Sequence, residues 1–119
     1  MDSADIQRIR HIKQYCEDIT EFVMRFGDGF EIFSADRAYF NAVSMCILQI
    51  GELSNGLSEE FRTATKDQMP WSQAKGMRNW IAHSYNTVEA DIVWRTVKKD
   101  IPMLLDFCNH TIEKSASEM

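Results

Sequence analysis

The sequence lacks any close pair of cysteines. Cys16, Cys46 and Cys108 are odd in number and widely separated, which gives neither a disulfide framework nor the CxxC pairs of a zinc site. All three fall in apolar, helix-periodic surroundings and read as buried thiols in a reducing cytoplasm. Positive charge is also scarce. Thirteen Lys and Arg face 18 Asp and Glu, for a net charge of −5 and a pI near 5.1. That argues against a broad electrostatic grip on nucleic acid, whose nonspecific binding comes mainly from phosphate neutralisation. Any contact with RNA must be local, and the plausible patch is Arg62, Lys66, Lys75 and Arg78, with Arg95, Lys98 and Lys99 further on; such a set is more often a solvated face. The start, Met1 to Asp5, is polar and acidic and leads into charged helix. No signal peptide or membrane span is therefore expected, and the chain is expected to be cytoplasmic. Period-two alternation and hairpin turns nowhere coincide, and no internal repeat or low-complexity tract is visible.

What remains is helical pattern. At 119 residues and 45% hydrophobic, the chain fits one domain, residues 1–119, able to bury a core without staples. Ile6, Ile9, Ile12, Cys16, Ile19, Val23 and Phe26 recur at steps of three and four, which predicts one long helix from about Ser3 to Phe26. At 1.5 Å per residue it would reach roughly 36 Å, suited to a bundle. Gly27-Asp28-Gly29 stops it, and Ser34 is the expected N-cap of a second helix, with Asp36 in its first turn. The stripe Phe40, Val43, Cys46, Ile47, Ile50, Leu53 and Leu57 carries that helix to a stop at Asn55-Gly56. A short helical turn follows near Ser58 to Thr65. Pro70-Trp71-Ser72 then opens a third helix running to about His83, and Ser84 to Thr87 connects, with Thr87 as N-cap and Glu89 and Asp91 against the next positive end. Ile92, Val93, Val97, Ile101, Leu104, Leu105, Cys108 and Ile112 mark a last helix, which Pro102 should kink or break. The expected fold is all-α, an up-and-down antiparallel bundle of four to five helices.

Chemistry concentrates in one stretch. His11 and His110 sit among charged residues near the chain's ends and read as solvated, whereas His83 lies where a helix should end, with Arg78 and Asn79 before it and Tyr85 after. Arginine supplies a permanent cation with planar donors for phosphate oxygens; histidine can exchange protons near neutral pH. Together they suit RNA cleavage, in which a base takes the 2′-hydroxyl proton and a cation stabilises charge on the phosphoryl oxygens. Five residues at about 100° each place Arg78 and His83 roughly 140° apart on a straight helix. Either the helix ends before His83 or the site uses two subunits. On spacing alone, a histidine capping a helix C-terminus is the commoner explanation.

The same residues carry a family resemblance. Arg78, four intervening residues, His83, one residue and Tyr85 form an RX4HXY pattern that resembles the motif of HepT-like toxins of the HEPN superfamily, with Asn79 in the motif's second place. Ile50-Gly51-Glu52 resembles the family's IGE segment, Pro70-Trp71 its PW, Gly76-Met77 the residues ahead of the motif, and Trp94 with Asp100-Ile101-Pro102 its closing pattern. The similarity covers about residues 40 to 110 in register, and the first helix agrees in kind. It implies a metal-independent ribonuclease, without cofactor, whose catalytic cleft is formed by Arg78 and His83, working as a homodimer with the two motifs facing each other. It also implies a cognate antitoxin, an MNT-type nucleotidyltransferase that attaches AMP to Tyr85. Asn79 and Glu52 are candidate supporting residues, although a helical carboxylate such as Glu52 is usually just solvated. Close packing is the simpler expectation for Gly51 and Gly76, and Trp71, Trp80 and Trp94 read as core or dimer contacts before base-stacking platforms. Two rivals stay open at this level: a non-catalytic HEPN partner of a nucleotidyltransferase, and a nucleotide-binding module in which Arg78 holds the phosphates of ATP.

Overall fold

A computed structural model of the chain describes residues 2–84 and 89–118, with the backbone alone described for 80–84. Among the described residues the structure is all-α. Four long helices, α1 (Ser3–Phe26), α3 (Arg37–Gly56), α5 (Trp71–Ser84) and α7 (Ile101–Ser117), form the bundle, and α2 (Phe30–Ala35), α4 (Glu59–Thr65) and α6 (Ala90–Arg95) are short connecting segments. Helix α3 packs against both α1 and α5, and α1 also packs against α7.

Helix α1 starts where the Asp2 side chain accepts from the Ala4 N–H at 3.1 Å, and it ends at Gly27, whose φ of 126° an L side chain rarely adopts. The sequence places the next cap at Ser34, and the structure moves it. Residues 30–35 form α2, the Ser34 hydroxyl donates to the Glu31 carbonyl, and Asp36 caps α3 by accepting from the Tyr39 N–H at 3.2 Å. The reason is Phe33, fully buried against Tyr39, Phe40 and Trp94 at centroid distances of 4.9, 5.6 and 5.1 Å. Burying one such ring is favourable by about 1.5–3 kcal/mol, enough to fold a segment that carries the residues of a turn.

Helix α4 is tied back to the start of the chain. Ser58 accepts from the Phe61 N–H, while its own N–H and hydroxyl donate to the Asp5 carboxylate at 2.8 and 2.6 Å. Asp5 is buried, a cost these two bonds offset. Helix α5 begins one residue later than the sequence suggests, because Pro70 lies just outside it and accepts from the Gln73 and Ala74 N–H groups. The indole N–H of buried Trp71 donates to the Thr65 hydroxyl at 2.9 Å.

The disturbance expected at Pro102 lies just ahead of it. Thr96–Asp100 is a π-helical turn, and α7 starts with Pro102 in its first turn. Proline has no N–H and its ring crowds the carbonyl four residues back, so one extra residue in the turn relieves both problems. The expected cap at Thr87 lies outside the described residues, and Glu89 precedes α6 without a side-chain cap bond.

The core lies between α1, α3 and α7, with Ile9, Ile12, Ile19, Val43, Ile47, Ile50 and Leu104 all buried. The three cysteines are there, as expected. Burial pushes the Cys46 thiol up to about 11 and the Cys108 thiol up to about 12. Burial first, and then the neighbouring Cys108 and Cys46, holds Cys16 far above the usual thiol range. These are inert core thiols.

Candidate active site

The α3–α5 seam is where the candidate residues meet. Position 51 is a glycine because nothing else fits: a Cβ there would collide with the Arg78 Cβ, and would lie 2.9 Å from the Arg78 Cγ and 3.1 Å from the Ala74 carbonyl oxygen. The missing side chain lets α5 settle onto the α3 backbone at Arg78 itself. The packing expected for Gly51 is therefore correct, and its neighbour is the candidate catalytic arginine. Gly76 is different. A Cβ there would have no atom within 4 Å, so close packing within the described chain does not account for it.

The seam also fixes the Arg78 guanidinium. Its Nε forms an ion pair with the Glu52 carboxylate, reaching across from α3, and its Nη1 donates to the Asn79 amide oxygen at 2.9 Å. Glu52 is thus engaged, where its place on a helix suggests only a solvated carboxylate. The Arg78 side chain remains 34% exposed and that of Glu52 46%. The fork is held in place while its outer edge stays within reach of solvent.

His83 lies on α5, whose backbone is helical through Ser84. That removes one alternative left open by spacing, since the helix does not end before His83. Positions 78 and 83 stand about 140° apart around one unbroken helix. The His83 side chain and all of Tyr85 lie outside the described residues. Among the other candidates, His11 and His110 are exposed, Trp71 is buried in the core, and Trp94 packs against it. No cluster of three metal-ligating side chains occurs among the described residues.

The family model for ribonuclease HepT-like proteins matches residues 12–111, most of the chain. The chain belongs to the HepT-like ribonuclease family. Membership makes it a ribonuclease by class. It is 36% identical over 96 residues to a candidate RNase of Caldanaerobacter subterraneus subsp. tengcongensis, covering 81% of this chain and 83% of that protein. It is 33% identical over 100 residues to a candidate ribonuclease HepT of Thermococcus cleftensis, covering 80% and 90%. A candidate RNase of Methanocaldococcus jannaschii is 30% identical over 103 residues, covering 86% and 83%. No solved structure matches the chain significantly. Among the described residues no helix of this HepT-like protein is long and apolar enough to cross a membrane.

Proposed function

We propose that this protein is the toxin of a HEPN/MNT toxin–antitoxin pair, a metal-independent endoribonuclease that cuts RNA with Arg78 and His83 and is silenced by AMP on Tyr85. The observation that carries the reading is the held but accessible Arg78 guanidinium, clamped by Glu52 and Asn79 with a third of its side chain in solvent. A fixed cation loses little on meeting a phosphate, and preorganised charge of this kind is the largest contribution to most such reactions. In the proposed step His83 takes the proton of a 2′-hydroxyl, and the 2′-oxygen bonds to phosphorus. Arg78 stabilises the charge on the phosphoryl oxygens. The bond to the 5′-oxygen breaks, that oxygen leaves as an alcohol after taking a proton from solvent, and a cyclic phosphate remains.

The 140° offset between positions 78 and 83 on an unbroken helix supports a site assembled from two subunits, as an isologous homodimer with facing motifs. Light scattering tests this, and a strict monomer at micromolar concentration that still cleaves RNA contradicts it. Tyr85 follows His83 by two residues, so an AMP there places a bulky phosphodiester beside Arg78 and competes for the cation that receives the substrate. Intact-mass measurement after incubation with the partner nucleotidyltransferase and ATP should show one AMP on the wild type and none on Tyr85→Phe, which keeps its cleavage activity. Equal adducts on both proteins place the modification elsewhere, and loss of cleavage in Tyr85→Phe moves the hydroxyl into the reaction itself.

A further inference from the structure

The scarce positive charge of this chain is not spread evenly. Arg62 and Lys66, four residues apart at the end of α4, and Lys75 on α5 line one open groove of about 510 Å³, together with the polar groups of Asn55 and Ser72 and a single carboxylate, Glu59. None of the three cations forms an ion pair among the described residues. Elsewhere the structure does satisfy such charges: Lys98 is paired with Asp28 at 2.8 Å and lies over the Trp94 ring, and Arg25 is paired with Glu21.

Arg62 is half-buried, and its Nε is sealed inside without a hydrogen-bond partner among the described residues, a cost that no described protein group offsets. The groove also leads to the site. Lys75 stands one turn before Arg78 on α5, and Asn55 one turn after Glu52 on α3, so the groove continues the α3–α5 seam past the clamped arginine toward α4. Residues three apart on a helix are neighbours, with Cβ atoms about 5–6 Å apart.

We infer that this groove is a subsite for the phosphate backbone of single-stranded RNA, in which Arg62, Lys66 and Lys75 bind the phosphates flanking the one held at Arg78. The inference rests on the ribonuclease reading above and deepens it by assigning where the rest of the substrate lies. It explains how a protein of net charge −5 holds a polyanion: three unpaired cations in a row do locally what the whole surface does not. Met69, Pro70 and Trp71 also line the groove, but its three cations are what meet the phosphate backbone, so homopolymers should bind with a similar salt dependence.

The test is binding of a short labelled oligouridylate across a range of salt, in a His83→Ala background so that the RNA stays intact. The triple variant Arg62→Gln/Lys66→Gln/Lys75→Gln should bind about tenfold more weakly or worse at low salt, and the slope of log K against log salt should flatten by about 2, from about 0.7 for each phosphate no longer neutralised. The pair Lys66→Gln/Lys75→Gln alters only exposed side chains and leaves the interior alone; it should give about two-thirds of that flattening. A control of equal charge change on other exposed residues, Arg10→Gln/Arg25→Gln/Lys114→Gln, should leave the slope unchanged. If wild type cleaves RNA and both groove variants keep the parental affinity and slope, the subsite is wrong and the ribonuclease reading stands. If control and triple variant weaken binding equally, general charge is the cause and the subsite is overturned. If wild type does not cleave and the His83→Ala protein does not bind, both readings fall together.

Discussion

Helix α3 has two seams built to opposite rules. One side of it carries Val43 and Cys46, both buried, with Cys46 close to Cys16 of α1, and the thiols there are so dry that they stay protonated far beyond neutral pH. Toward α5 it presents a bare glycine backbone and, one residue on, a half-exposed carboxylate that grips an arginine from the facing helix. Burial makes the first seam stable and chemically silent; close approach makes the second seam narrow, with a polar, open edge at the Arg78–Glu52 pair beside an apolar cavity lined by Ile47, Ile50 and Met77. One helix thus serves as core on one side and as the wall of a site on the other.

The largest effect expected from disturbing this contrast is at Gly51. Gly51→Ala drives a methyl group onto the Arg78 side chain, so α5 must shift, and the variant should lose about 1–3 kcal/mol of stability. Cleavage should fall with it, because a shift of about 1 Å in a positioned group costs up to about a hundredfold. Unfolding in urea and an RNA cleavage assay on the same preparation check both parts, and a fully stable, fully active Gly51→Ala shows that the two helices do not need their close approach.

On the dry seam the expected effect is pH-dependent. The thiols ionise near 9.0 when exposed, while burial raises Cys46 to about 11 and Cys108 to about 12 in the folded chain. A group whose folded pKa is raised contributes its stability in full below the unfolded value and loses it as pH rises through the folded one. Stability should therefore be flat below pH 9 as far as the thiols are concerned and fall above it, by about 1.4 kcal/mol per thiol for each unit of pH. A thiol-labelling reagent at pH 8 should mark none of the three without denaturant. Prompt labelling of the native protein contradicts the inert-core description.

The smallest effect is at Gly76, which has no neighbour within 4 Å of a would-be Cβ. Gly76→Ala should raise stability by up to about 1 kcal/mol through helix propensity alone. The same substitution on the same kind of residue thus changes sign between the seam and the open face of the chain. If light scattering shows the wild type to be a dimer, its loss in Gly76→Ala assigns that face to the subunit contact instead.

Much of this contrast is legible in the amino-acid sequence. The apolar stripes locate α1, α3 and α7 because burial on one side of a helix leaves a periodic mark, and the thiols fall in the core for the same reason. The pattern of Arg78, Asn79 and Glu52 is visible too, though only packing brings Glu52 across to Arg78, since a contact between residues 26 apart has no local signal. Helix α2 has no such mark: Ser34, Asp36 and two glycines carry turn chemistry, and the burial of Phe33 that overrides it is a tertiary effect. The link between Asp5 and Ser58 is hidden for the same reason as the Glu52 contact. Within its own helix Gly51 is only a cost, and the neighbour that needs the space belongs to another helix. The basic groove lies between these cases, because the sequence supplies its cations and the packing of α4 against the start of α5 gathers three of them while leaving Lys98 to an ion pair.

Whether the polar seam is a ribonuclease site turns on Arg78 and His83. Cleavage of a labelled single-stranded RNA near neutral pH in the presence of EDTA, by wild type, Arg78→Ala and His83→Ala, tests it most directly. Wild type should cleave undiminished by the chelator, and each variant should lose about a hundredfold or more in rate with helical content and melting temperature nearly unchanged. Cleavage retained by His83→Ala, or abolished in the wild type by EDTA, would contradict the central claim.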